Sequence, residues 1–321
     1  MKIVVCGAGG FIGNHLVNFL KSEGHWVKGV DIKYPEYSQT QADDFVLGDL
    51  KDPQLNLRVF DKEYDEVYQL AADMGGAGYV FSGENDSDIM TNSCLINLNV
   101  LNACKAAKVK RIFYSSSACI YPEHNQLDPN NPNCKEDTAY PANPDSEYGW
   151  EKLFSERMYL SFSRNFGMKV RIARYHNIFG PYGCWNNGRE KAPAAICRKV
   201  AEVSSNKGEI EVWGDGSQTR SFLYVDECIK ATVALMRSDH TGPYNIGSEE
   251  MVSINQLVDI AASVAGKNIT KNHIPGPEGV RGRNSENSLF EKDLGFRPYY
   301  DLRKGIEKTY SWISEKVKCL E

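Results

Sequence analysis

The sequence contains no Cys-x-x-Cys pair. A structural zinc site and a thioredoxin-like redox motif therefore have no support, and no metal is expected. It also lacks any run of about 18 apolar residues, the length that would span a bilayer. The first apolar stretch, Ile3 to Cys6, stops at Gly7, too short for the apolar region of a secretory leader. Repeats, low-complexity tracts and coiled-coil heptads are missing as well. Excess charge is small: 37 Lys+Arg against 42 Asp+Glu leave a net −5. That balance argues against nucleic acid as a partner, while leaving room for a local basic pocket that takes a phosphorylated ligand.

What the chain does have is length and apolar content. Its 321 residues are 41% apolar, enough for one large or two modest folding units with a substantial core. Its nine cysteines form an odd set at irregular spacings. Reduced thiols in an intracellular, cytoplasmic protein account for them.

Short apolar runs alternate with helical stretches through the first half. Runs at 3–6, 27–30, 66–70, 111–115 and 169–173 read as strands, and 11–22 and 92–108 as helices. Strands apolar on consecutive residues suit a sheet covered on both faces. The expected fold is α/β, a Rossmann-type doubly wound parallel sheet with a smaller C-terminal α/β substrate lobe. Gly and Pro punctuate the second half, where helices are predicted at 192–203, 225–237, 254–265 and 302–317. We assign residues 1–177 to the nucleotide domain and 178–321 mainly to the second lobe, with a segment near 221–240 returning to the first.

Gly7-x-x-Gly10-x-x-Gly13 follows the first strand and opens the first helix. Glycines there let the backbone turn tightly and approach a pyrophosphate, whose charge suits the helix N-terminus. Phe11 and Ile12 lie between Gly10 and Gly13, at the start of that helix, and join the predicted cofactor site. Asp31 ends the second strand, where a carboxylate binds ribose hydroxyls and repels a 2′-phosphate, so NAD is expected rather than NADP. Asp49, in Gly48-Asp49-Leu50, is a candidate adenine contact together with Leu50; a solvated turn carboxylate is the alternative.

Tyr148 and Lys152 lie four apart, on one face of a helix. A cationic Lys should lower the Tyr pKa from about 10 and let the phenol take a hydroxyl proton as hydride leaves for NAD. Ser117, upstream, would hydrogen-bond the same oxygen. Two residues further, Cys119 adds a thiol that oxidation alone does not need. A ketone made by hydride removal acidifies neighbouring C–H bonds, and a thiol can move those protons.

Ser117, Tyr148 and Lys152 behind this glycine loop resemble the extended short-chain dehydrogenase/reductase superfamily. Longer blocks are similar to the GDP-mannose 3,5-epimerase family: Leu70 to Gly76, Ser116 to Glu123, Gly188 to Ala195, Trp213 to Phe222 and His273 to Ser285. The resemblance implies transient oxidation of GDP-mannose at C4 by tightly held NAD, then epimerisation at C3 and C5. The products implied are GDP-L-galactose and, by C5 inversion alone, GDP-L-gulose. It assigns Cys119 and Lys191 as the acid/base pair, and Gly75, Ser117, Cys119, Asn177, Glu190, Lys191, Ala192, Lys199, Gln218, Thr219, Arg220 and Arg283 as substrate contacts. Inversion needs one group on each ring face, and a thiol near 8.5 and an amine near 10.4 both start protonated, so one must be shifted down. The nicotinamide could act on Cys119; burial or Arg189 could act on Lys191. Which takes the first proton stays open.

The segment Ser82 to Asp88 reads as slightly longer than in plant members of the family. A related C4-epimerase or 4-keto reductase is the alternative enzyme, though neither needs a second proton-transfer pair. A non-catalytic NAD-sensing module is the other reading, against which Ser117, Tyr148 and Lys152 stand. Superfamily pairing through helices implies a homodimer built on 92–108 and 148–166.

Overall fold

In the computed structural model, residues 1–297 and 300–320 are described. The chain begins Lys2–Cys6 (β1), Phe11–Ser22 (α1), Trp26–Asp31 (β2), Asp44–Leu47 (β3), Pro53–Val59 (α2) and Glu66–Gln69 (β4). It continues through Ala77–Val80 (α3), Asp86–Ala106 (α4), Arg111–Ser117 (β5), Glu147–Phe166 (α5), Lys169–Tyr175 (β6) and Ile178–Phe179 (β7). Then follow Ala192–Glu202 (α6), Lys207–Trp213 (β8), Thr219–Ser221 (β9), Leu223–Tyr224 (β10), Val225–Arg237 (α7), Tyr244–Ile246 (β11) and Met251–Ser253 (β12). The chain closes with Ile254–Ala265 (α8), Asn268–Ile274 (β13), Gly282–Arg283 (β14), Ser288–Leu294 (α9) and Leu302–Lys318 (α10).

Seven strands form one parallel sheet in the order β11-β6-β5-β4-β1-β2-β3. Side chains along β1 alternate between two cores. Ile3 and Val5 pack with Leu16 and Leu20 of α1 and Val225 and Ile229 of α7; Val4 and Cys6 pack with Val100 and Leu101 of α4 and Tyr159 of α5. Ile3 to Cys6 are fully buried, which is why this run is apolar without alternation. The expected doubly wound α/β fold is thus present. Strand order reverses between β1 and β4, and ligands of such sheets bind in the crevice at that point.

The second lobe packs α6, α8 and α10 together beside the β8–β13 pair and the small sheet β12-β9-β14. Residues 223–246 pack on the first half of the chain: β10 pairs with β7, α7 packs on α1 and the sheet, and β11 pairs with β6. One predicted boundary needs correction. The helix read as starting at Asn92 starts at Asp86, because Asp86 and Asp88 occupy its first turn, where negative charge is favoured. The last residues of the Ser82–Asp88 segment therefore belong to α4.

Candidate active site

The glycine loop makes a cradle that side chains would fill. Gly7 has φ +83°, and a Cβ on it would approach the Ala71 amide nitrogen to 2.8 Å; one on Gly13 would strike the Gly7 carbonyl. Gly10 caps α1 with no side chain, so the first N–H groups of the helix, behind Phe11 and Ile12, stay available to an anion. Asp31 lies at the rim and accepts the Gly9 and Lys33 amides at 2.9 and 3.3 Å. Burial pushes its carboxyl up and those amides pull it back. Asp49 sits in a turn, accepting the Lys51 amide at 2.9 Å and facing its ammonium at 3.6 Å. Leu50 is buried, and its carbonyl takes the Asn56 side chain at 2.7 Å. A cradle closed to any Cβ, an uncapped helix start and a rim carboxylate fit a dinucleotide.

Ser117 ends β5, and its hydroxyl accepts the Cys119 amide at 3.2 Å, which starts the short 3-10 turn Ala118–Ile120. Helix α5 begins on a Ser146 cap and crosses this turn so closely that a Cβ on Gly149 would strike the Cys119 carbonyl. That approach brings Tyr148 and Lys152 to Ser117. The Lys152 ammonium donates to the Ser115 carbonyl at 3.0 Å and stands 5.6 Å from the Tyr148 ring centre. Burial lowers the Lys152 pKa. The expected lowering of Tyr148 is not found in the protein alone: burial pushes the phenol up, the charge of Cys119 adds to this, and a hydrogen bond with Ser117 pulls it back. Desolvating a phenolate outweighs the distant ammonium.

The Cys119 sulfur accepts a hydrogen bond from Arg283 Nη1 at 3.1 Å. Arg283 is buried and fixed on two other sides, by Gln126 Oε1 at 2.6 Å and Asp145 Oδ2 at 3.2 Å. Lys191 is partly buried at the start of α6 beside Ala192; its carbonyl accepts the Ala195 amide at 3.0 Å, while its ammonium makes no hydrogen bond or ion pair among the described residues. Burial lowers its pKa, opposed only by the nearby sulfurs of Cys119 and then Cys228. Of the two causes foreseen for that shift, burial is the operative one, since Arg189 is stacked 4.3 Å over the Tyr79 ring. Met74, Tyr79, Phe81 and Cys119 pack around Val80, Ile89 and Tyr148. Gly75 and Gly76 bring this wall against the Lys191 loop; a Cβ on Gly76 would come within 2.6 Å of the Glu190 carbonyl.

Arg220 donates to the Thr219 and Glu278 carbonyls at 2.7 and 3.0 Å. Burial, and the nearby charge of Arg283, lower its pKa to about 10. Two neighbouring guanidinium groups, Arg283 buried and Arg220 partly so, with Asp145 on Arg283, leave local positive charge that an anion would offset. Gln218 donates its side-chain amide to the Trp213 carbonyl at 3.1 Å and leaves its side-chain oxygen buried without a partner among the described residues. The Thr219 hydroxyl bonds the Pro129 carbonyl. Asn177 adopts φ +45° and donates to the Ser221 carbonyl at 3.0 Å. Glu190 and Lys199 are engaged locally, with Arg198 at 3.2 Å and the Glu211 carbonyl at 2.7 Å. Sequence reasoning missed Gln126, Asp145 and Tyr79; no local spacing links them to Arg283 or Arg189.

Cradle, Ser-Tyr-Lys cluster and strand order together define an NAD-dependent enzyme of the doubly wound class. The chain belongs to the NAD dependent epimerase/dehydratase family, whose profile matches residues 3–247. It is 47% identical over 320 residues to the GDP-mannose 3,5-epimerase of Arabidopsis thaliana, covering 99% of this chain and 83% of the plant protein. The Thermotoga maritima UDP-glucose 4-epimerase shares the fold, with TM-score 0.86 at 24% identity over the whole of both chains. A Bacillus cereus UDP-glucuronic acid 4-epimerase, solved with UDP-glucuronic acid and NAD, superposes with TM-score 0.80 at 28% identity. That match covers 98% of this chain and 100% of the other.

Proposed function

We propose that the protein epimerises GDP-mannose at C3 and C5 through a transient C4 ketone. What carries the reading is the meeting of two chemistries at one place: Ser117, Tyr148 and Lys152 beside a thiol and a partnerless amine, in a chain 47% identical to a GDP-mannose 3,5-epimerase. Held by the Gly7–Gly13 cradle and Asp31, NAD would supply a reversible hydride acceptor for C4 with no net consumption. Ser117 holds the C4 oxygen and Tyr148 takes its proton, with Lys152 providing the charge that favours the phenolate. Cys119 and Lys191 exchange protons at C3 and C5, one from each face of the ring. Each positioned acid or base contributes roughly 10²–10⁴-fold. The neighbouring cations Arg220 and Arg283 suit the diphosphate of a GDP-sugar; Gly75, Asn177, Glu190, Lys191, Ala192, Lys199, Gln218 and Thr219 complete its contacts. GDP-L-galactose is the expected product, with GDP-L-gulose when C5 alone inverts. A C4-epimerase or 4-keto reductase would leave Cys119 and Lys191 without a task.

The protein pairs with a second copy through α4 and α5, where Leu95, Leu98, Trp150 and Phe154 are exposed. Nine free cysteines, five of them buried, fit the reducing cytoplasm. No helix among the described residues is long and apolar enough to cross a membrane. The test is incubation with GDP-mannose in heavy water, followed by NMR. Deuterium at both C3 and C5 without net reduced cofactor is expected. Label at neither carbon, or a product inverted only at C4, sinks the reading.

A further inference from the structure

The residues that flank the Ser117–Cys119 turn both end on one buried ion pair. Glu156 of α5 and Arg174 of β6 join through two bonds, Nε to Oε1 and Nη2 to Oε2, each 2.9 Å. Their side chains are only 3% and 2% exposed. Ser116, immediately before Ser117, donates its hydroxyl to Glu156 Oε1 at 2.5 Å. Tyr121, two residues beyond Cys119, accepts from Arg174 Nη1 at 3.2 Å and donates to Asn245 Oδ1 at 2.7 Å. Asn245 is itself fixed by the Cys134 and Glu286 carbonyls, at 2.8 and 3.0 Å.

Tyr121 has a second hold on the site. Its carbonyl accepts from Gln126 Nε2 at 3.0 Å, and Gln126 Oε1 accepts from Arg283 Nε at 2.6 Å. Arg283 then reaches the Cys119 sulfur. The hydroxyl of Tyr121 is thus tied to the rigid pair, and its carbonyl to the arginine that touches the thiol. A buried ion pair adds little net stability compared with apolar residues of like volume, so stability alone does not account for this one. The two tethers it grips stand on either side of the groups assigned to two different steps.

We propose that the Arg174–Glu156 pair positions those groups separately, through Ser116 for the Ser117 hydroxyl and through Tyr121 for the Cys119 thiol. Tyr121 is then a positioning residue for proton exchange at C3 and C5, not for C4 oxidation. For its substrate this rests on the functional reading above.

Tyr121→Phe keeps the ring and removes both hydroxyl bonds. Three quantities are read on the NAD-bound enzyme, beside thermal unfolding. They are reduced-nicotinamide absorbance on adding GDP-mannose, deuterium uptake at C3 and C5, and the iodoacetamide alkylation rate of the Cys119 peptide by mass spectrometry. The expected result is exchange lowered about tenfold or more, cofactor reduction within about twofold of wild type, and Cys119 alkylated several-fold faster. Ser116→Ala should show the opposite split: slower cofactor reduction with alkylation unchanged. It carries the test alone should Tyr121→Phe fail to fold. Equal losses in both steps, or alkylation unchanged in Tyr121→Phe, overturn the proposal; so does faster alkylation in Ser116→Ala. Wild type that exchanges neither carbon sinks the functional reading instead, while the alkylation comparison, which needs no sugar, still decides the positioning.

Discussion

Arg283 Nη1 stands 3.1 Å from the Cys119 sulfur, with the rest of the guanidinium fixed by Gln126 and Asp145. Guanidinium has donors only, so the sulfur is the acceptor, and a charged acceptor gains most from such a bond. Family resemblance, and its charge beside Arg220, place Arg283 on the substrate. The geometry places it on the thiol, in a planar fork that a lysine cannot reproduce.

Arg283→Lys should therefore impair turnover more than binding. We expect kcat for exchange at C3 and C5 to fall about 100-fold, a misplacement cost of the kind oriented groups incur, with KM for GDP-mannose changed less than about threefold. Deuterium uptake against substrate concentration measures both. A large rise in KM with kcat intact would return Arg283 to a purely diphosphate-binding role.

Lys191 sets a pH dependence of stability with an unusual sign. Burial holds its folded pKa below the ordinary lysine value of about 10.4. Between the lowered and ordinary values the unfolded chain binds the extra proton, so this group makes stability rise with pH across that window. Below the window its penalty is complete. Lys191→Met should then be more stable than wild type near neutrality, by on the order of 1 kcal/mol, and lose that advantage as pH climbs toward 10.4. Urea unfolding of both proteins across alkaline pH gives the difference. An advantage that is constant or grows with pH would show that burial is not what shifts the amine.

Local signals made much of the fold legible and little of the site's wiring. The bounds of α1, α7 and α8 can be read because their ends are local: an uncapped glycine start, a short apolar stripe, and a Ser253–Gln256 capping box closed by left-handed Gly266. Strands β3 and β11 went unread, since four and three residues gain strand character only from pairing with β2 and β6. Tyr148 and Lys152 are legible through a four-residue spacing, whereas Arg283 meets Cys119 across 164 positions. The direction of the Tyr148 shift was misjudged for the same reason. A spacing rule includes the ammonium but not the burial that the whole fold imposes on the phenol.

The exposed faces of α4 and α5 extend that contrast to assembly. Their inner faces are filled by Ile89, Val100, Leu101 and Cys104 on one helix and Leu153 and Tyr159 on the other. Yet Leu95, Leu98, Trp150 and Phe154 are 47%, 41%, 40% and 55% exposed on the outer faces of the same packed pair. We propose that these four exposed apolar residues on two packed helices form the contact surface of the proposed dimer. In a two-fold interface each substitution acts twice. Burying one such side chain is worth roughly 1.5–3 kcal/mol. Leu98→Glu with Phe154→Glu should thus weaken the dimer by at least about a thousandfold. In sedimentation velocity at micromolar concentration, wild type should run as a dimer and the double variant as a folded monomer. A wild-type monomer under those conditions, or a double variant that still pairs, would remove α4 and α5 from the interface.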